Sequence, residues 1–444
     1  MTTSLTLEHL TKLVDGEAVA IRGKASLQPA GGAGDKVFPP THSKSDDELR
    51  RLKPEDRIGA RYAFERRRFA NGETKDCVLL DSVQSQANRM EEALQALWAA
   101  TKINLPVIEV DFSTFAPEIG KVTSLSAPHR IADALLRDSM HGNTLFRLSD
   151  LGRSFTNASP RNAAPLFKVC PTGLVFGLWD STGPRGGLGA KFARTLTSEI
   201  VGVGAQCGVK TSSRIDPAGI MKDSATIFVA RDRDEDGNLT WTPDLLAAEP
   251  LDPNKPPLNA NDDALVKKWG KKDKAGKPSA IVHGNIAPSI DEVAGGVTID
   301  HAEHTVVMSL AALRRLSFGS DADDSKARTV LAALGLLAVL ASEARGHDLR
   351  SRCLLIPSES DRLILESIAG DGKPTGLTLS LDQAIALFGA AVNALPIGLR
   401  FEDWASKEPL KAGKPLAALT PSPKLQHLIV QSRRLAASGE DVAG

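Results

Sequence analysis

The segment Asp81-Ser-Val-Gln-Ser-Gln-Ala-Asn-Arg-Met-Glu-Glu-Ala-Leu94 constrains the fold more than any other part of the chain. Val83, Ala87, Met90, Leu94 and Leu97 recur at steps of three and four residues, which predicts an amphipathic helix over 82–99. Its apolar stripe requires a core to lie on. Gln84, Ser85, Asn88 and Arg89 sit on the other side, behind Ser82 at the position of a cap. Unpaired N–H groups and the helix dipole favour anions at such a start. Hydroxyl, amide and guanidinium groups gathered there suit a phosphate backbone better than bond-breaking chemistry. The plainer alternative is an ordinary N-cap with a solvated polar face.

The chain has 444 residues, 42% hydrophobic and 24% charged, so it holds a sizeable core in two or three domains, or one core with large insertions. Its 54 basic and 54 acidic residues cancel. This excludes a globally basic nucleic-acid binder but leaves room for a locally basic groove. Charge is clustered: the run from Arg50 to Phe69 is basic and that from Arg231 to Gly237 acidic. Cys77, Cys170, Cys207 and Cys353 form no C-x-x-C pair, so neither zinc nor a disulfide scaffold is indicated. Reduced thiols, the lack of a signal-like start and the lack of a membrane-length apolar run predict a cytoplasmic protein without a membrane partner. The alanine-rich stretch Val330 to Ala341 is read as a core helix.

Strands are expected at 18–27, 61–69, 76–80, 106–112, 173–179, 209–215, 226–231, 297–310, 353–357 and 363–368. Asn71-Gly72 provides a hairpin turn between the second and third. Helices are expected after Pro128 and at 190–203, 311–316, 327–344 and 381–394. Strands and helices mix without strict alternation, which predicts an α+β fold. Residues 232–280 are rich in Asp, Lys, Pro, Asn and Gly and carry the basic piece Lys267-Lys-Trp-Gly-Lys-Lys272, which predicts a mobile inserted loop or subdomain. Residues 401–444 are expected to form a flexible tail. The core is therefore drawn over 1–231 and 281–400, with a hairpin insertion at about 30–80.

Further candidate sites follow from local chemistry. Gly186-Gly187-Leu188-Gly189, followed by Lys191 and Arg194, could cradle a phosphate at the start of the expected 190–203 helix, where the two cations would share a face. A plain connector is the alternative, and the G-x-G-x-x-G dinucleotide pattern is not met. Lys36 follows the glycine-rich loop 31–34, with Asp35 read as a turn residue. His129 and Arg130 follow a helix-starting proline. A general base there needs a second acid or base, which the sequence does not identify. His301 and His304 flank Glu303, but residues three apart on a strand face opposite ways, which argues against a metal. No nucleophile elbow or P-loop occurs.

Seven strings in order resemble one family over roughly positions 5 to 400. They are PAGGAGDKVFPPT (29–41), LLDSVQSQANRMEEAL (79–94), TSLSAPHRIADALLRDS (123–139), FGLWDSTGPRGGLGAKFARTLTSEIVG (176–202), KTSSRIDPAGI (210–220), HGNIAPSI (283–290) and SLAALRRL (309–316). The chain resembles the backbone, Cas-seven-type subunits of type I-G (formerly I-U) CRISPR Cascade complexes, in the RAMP superfamily. The resemblance implies a modified RRM, or ferredoxin-like, core: an antiparallel sheet with packed helices and large insertions. It implies a non-catalytic role without cofactor or metal, in which copies polymerise along one CRISPR RNA and present it to a target DNA strand. The implied partners are that RNA, the target strand, other copies, other Cascade subunits and a recruited helicase-nuclease.

The expected RNA-binding residues are Lys36, Ser82, Gln84, Ser85, Asn88, Arg89, His129, Arg130, Lys191, Arg194 and Arg214. Aromatics are 5% of the chain, so contacts are expected to favour the RNA backbone over stacked bases. The basic 50–68 run and the 232–280 insertion are expected to touch neighbouring subunits or separate guide segments. Two other classes compete. One is a RAMP endoribonuclease that matures the guide through His129. The other is a nucleotide-binding enzyme using the Gly186–Gly189 loop.

Overall fold

The computed structural model describes residues 2–16, 18–182, 190–235, 239–257, 259, 262–270, 274–358 and 363–437. The chain is α+β and divides into two compact units, Met1–Gly208 with Gly296–Leu425, and Val209–Gly295 with Gln426–Gly444.

The first unit is built on one long sheet. From one edge its strands run Thr2–Ser4, Pro374–Thr378, Ile364–Ile368, Ala20–Pro29, His301–Ser309, Leu196–Val203, Thr74–Asp81 and Phe64–Arg68. The first two pair in parallel and every later neighbour is antiparallel. Cys353–Pro357 also pairs with Ala20–Pro29 and carries His347–Arg350 on its other side. Along His301–Ser309, Ala302, His304, Val306 and Met308 are buried while their neighbours are half-buried or exposed, as a one-sided sheet requires. The Asp321–Arg345 helix packs against the Val83–Ala99, Leu381–Asn393 and Leu7–Asp15 helices. A capping box at Ser320 and Asp323 starts it, and Gly346 at φ 79° ends it. It is long and apolar enough to span a membrane by length and composition. However, 72% of its apolar stretch is buried inside the protein, as befits a core helix. All four cysteines are unpaired.

Two expectations need correction. Residues 190–203, expected as a helix, form the strands Lys191–Phe192 and Leu196–Val203. Phe192, Leu196 and Ile200 are spaced by four, and four residues return to the same side of a strand as well as of a helix. β-Branched Thr195, Thr197, Ile200, Val201 and Val203 then favour the extended form. Residues 173–179, expected as a buried strand, form the Thr172–Val175 helix and the short strand Leu178–Trp179. A fully apolar run carries no period with which to distinguish the two.

The expected tail, residues 401–444, carries a strand and a helix in its described part. Ala417–Pro421 is the middle strand of a five-stranded sheet, ordered Lys121–Thr123, Ile108–Asp111, Ala417–Pro421, Ser139–His141, Thr144–Leu145. Its Ala417, Leu419 and Pro421 alternate inward, a period of two that the proline- and lysine-rich surroundings obscured.

The second unit holds two antiparallel pairs, Lys210–Arg214 with Ile286–Asp291 and Phe228–Arg233 with Leu239–Thr242. The segment expected as a mobile insertion lies within this unit. It contributes Ala248 and Val266 to a small apolar cluster with Phe228. In the basic piece, Lys267 pairs with Glu249 and Lys268 with Asp263, while Lys271 and Lys272 lie outside the described residues.

Leu334 is fully buried in the Asp321–Arg345 helix. Leu334→Ala is expected to cost about 2–5 kcal/mol through reduced burial and the cavity left behind, read from the midpoint of urea unfolding.

Candidate functional site

The Val83–Ala99 helix begins where the Thr74–Asp81 strand ends, and the turn between them is organised by Asp81. This carboxylate is fully buried. It accepts hydrogen bonds from Gln86 Nε2 at 2.7 Å, Arg89 Nε at 3.0 Å and Arg350 at 3.1 Å. Arg89 also donates to the backbone carbonyls of Asp348 and Leu349. Its guanidinium therefore ties the helix to the His347–Arg350 strand. The Ser82 hydroxyl accepts from Ser85 N–H at 3.2 Å, an ordinary cap. Through these contacts Ser82, Ser85 and Arg89 serve the fold.

The polar chain continues inward. Gln86 accepts from Ser198 Oγ at 2.8 Å, and Ser198 Oγ lies 2.7 Å from His304 Nε2. His301 and His304 do face opposite ways, as expected. His304 instead meets Glu343 Oε1 through Nδ1 at 3.1 Å, and His347 Nε2 lies 3.3 Å from Glu343 Oε2.

The exposed side of the same helix faces a groove of about 660 Å³. Six expected site residues line it: Gln84, Asn88, His129, Arg130, Lys191 and Arg194. Gln84 and Asn88 are exposed and one helical turn apart. Lys191 and Arg194 come from the short strand that pairs with Leu178–Trp179 and from the turn after it. Lys191 Nζ stands 5.1 Å from the centroid of the Trp179 ring, which is 58% exposed. The stem of Arg194 lies over Gly177, where φ is 87° and an added Cβ would meet Arg194 Cγ at 3.0 Å, so glycine is required there. Among the described residues, Arg194 has no hydrogen-bond or ion-pair partner.

Arg130 lines the groove yet is buried. It makes a bidentate pair with Glu91, 2.7 Å on each side, donates to Gly177 O at 3.1 Å and lies over the Phe176 ring. It stiffens the groove wall. Arg137 is paired with Asp138, and Arg147 holds the buried Asp180 at 2.8 Å. Lining cations Arg130, Arg137, Lys191 and Arg194 therefore outnumber the one lining carboxylate, Asp180, among the described residues.

The remaining expectations fall elsewhere. Lys36 follows a tight glycine turn, where its backbone N–H is held by Asp35 at 2.9 Å, and it does not line the groove. Arg214 belongs to the second unit, where it donates to the carbonyls of His283 and Gly284. Gly186–Gly189 lie outside the described residues. The groove residue that the sequence reading missed is Trp179. An aromatic residue closing an apolar run and followed at once by Asp180-Ser-Thr-Gly was the available signal.

Arg130→Met leaves the Glu91 carboxylate buried without its partner. The expected cost is about 3–5 kcal/mol in urea unfolding. Pairing it with Glu91→Leu should recover most of that stability.

No curated protein matches the chain. Residues 21–207, which include every residue lining the groove, match the family described as CRISPR-associated protein GSU0053.

Proposed function

We propose that this chain is a non-catalytic backbone subunit that binds CRISPR RNA, aligns in several copies along one guide and presents it for pairing with a target DNA strand. The observation that carries this reading is the groove. It sets two exposed amides, Gln84 and Asn88, opposite the cations Lys191 and Arg194 and beside the exposed face of Trp179. Cations that track phosphates and an aromatic platform that accepts any base form the combination a subunit needs when every spacer differs. The type I-G assignment, and the further contacts with other Cascade subunits and a helicase-nuclease, rest on the sequence resemblance. A modified RRM-like core agrees with the antiparallel centre of the sheet and the helices packed on it.

A role without catalysis is supported by the surroundings of His129. The carboxylate lining the same groove, Asp180, is buried and held by Arg147, so it is poorly placed to act as the second acid or base of a ribonuclease. The neutral chain as a whole suits a subunit with one basic face and others that pack on copies of itself.

Fluorescence anisotropy with a labelled CRISPR RNA tests this proposal. Wild-type binding should weaken steeply with salt and change little when the spacer is scrambled. Lys191→Glu with Arg194→Glu should lower the slope of log K against log salt by about 0.7 for each phosphate that is no longer neutralised, with unfolding unchanged within about 0.5 kcal/mol. Wild-type affinity and slope in that variant would overturn the assignment. Specific cleavage of a CRISPR repeat, abolished by His129→Ala, would replace it with the endoribonuclease reading.

A further inference from the structure

We propose that His304, Glu343 and His347 form a binding site for a divalent transition ion of the zinc class, separate from the groove and independent of the function proposed above. Three elements of the first unit deliver the ligands: the His301–Ser309 strand, the end of the Asp321–Arg345 helix, and the start of the His347–Arg350 strand. Gly346, with φ 79°, turns the chain between the last two. One ligand atom from each residue lies within 4.8 Å of the others. The two nitrogen–oxygen separations are 3.1 and 3.3 Å. A tetrahedral zinc with bonds of about 2.0–2.1 Å has edges of about 3.3 Å between its ligands. The set of two imidazoles and one carboxylate is one that zinc accepts, with a fourth position left for water.

The hydrogen-bond network supplies a second, independent argument. Asp81 accepts from Arg89 and Arg350, so the Gln86 amide turns its NH₂ toward that carboxylate and its oxygen toward Ser198. Ser198 has one proton and donates it to Gln86. Its oxygen must then accept from His304 Nε2–H. This fixes the tautomer: in a neutral ring, Nδ1 carries a bare lone pair. That lone pair is turned toward the Glu343 carboxylate, an electron-rich partner. The His304 side chain is 3% exposed and Nδ1 has no hydrogen-bond partner, since Glu343 Oε1 lies off the axis of a ring N–H. A cation placed between them satisfies the nitrogen, a carboxylate oxygen and His347 together. The Ser198 contact is the outer hydrogen bond that commonly orients a metal-binding imidazole.

Such an ion would act on the fold. It would join the helix end to the strand whose Asp348 and Leu349 carbonyls receive Arg89. Stability would then depend on metal concentration.

The test uses the full chain, dialysed against a chelator and titrated with Zn²⁺ by calorimetry. One ion per chain is expected. The unfolding midpoint should rise with added Zn²⁺, and Co²⁺ should give the intense visible bands of a four-coordinate site. His347→Gln and Glu343→Gln, checked for folding by circular dichroism, should abolish binding. Ser198→Ala, which keeps all three ligands, should weaken it roughly 10–100-fold and remains informative if the others fail to fold. Absence of Zn²⁺ binding by the wild-type chain would overturn the proposal. So would binding that is unchanged in folded His347→Gln or Glu343→Gln, or in Ser198→Ala. None of these side chains lines the groove, so RNA binding by folded variants reports on a separate question.

Discussion

The buried carboxylate of Asp81 holds the first unit together at its busiest junction. A bare carboxylate in that position would be costly, and the fold meets the cost with three donors, two from the helix that follows it and one from Arg350, far along the chain. Gln86 carries the network to Ser198 and His304 on the two neighbouring strands, and His304 carries it to Glu343 on the core helix. Register depends on this chain of contacts. A slip of one residue in Leu196–Val203 would turn Ser198 to the other face of the sheet and strand both Gln86 and His304.

The same helix serves two ends because its faces are chemically distinct. Gln86, Met90, Glu91 and Leu94 point inward, whereas Gln84 and Asn88 remain outside. Pairing Arg89 with Asp81 and burying Arg130 against Glu91 keeps the exposed amides in a fixed position relative to Lys191 and Arg194. A groove whose wall is braced by Arg130–Glu91 binds without first ordering that wall, which lowers the entropic cost of association. The proposed RNA-binding role thus draws on cations that the fold leaves exposed, while cations that it buries give the groove its shape.

Much of the fold was legible in the residues. Val83–Ala99, Cys353–Pro357 and Leu381–Asn393 follow closely from their periods and caps. Leu196–Val203 did not, because its four-residue spacing is shared by helix and strand and its pairing partners lie about a hundred residues away on both sides. For the candidate site, six of the residues singled out meet in one groove. The role of each was not legible. Nothing local distinguishes Arg130, closed onto Glu91, from Arg194, which has no such partner among the described residues.

By itself, the sequence determined which segments are amphipathic, where helices start, and that local charge outweighs a neutral total. These are properties of neighbours a few residues apart, governed by backbone geometry and solvation. The tertiary structure alone decided which charges are neutralised. It also brought His304, Glu343 and His347 together although the strand spacing of His301 and His304 argued against a site. A carboxylate and a guanidinium 39 positions apart, such as Glu91 and Arg130, interact through distance and burial, and neither quantity exists until the chain has folded.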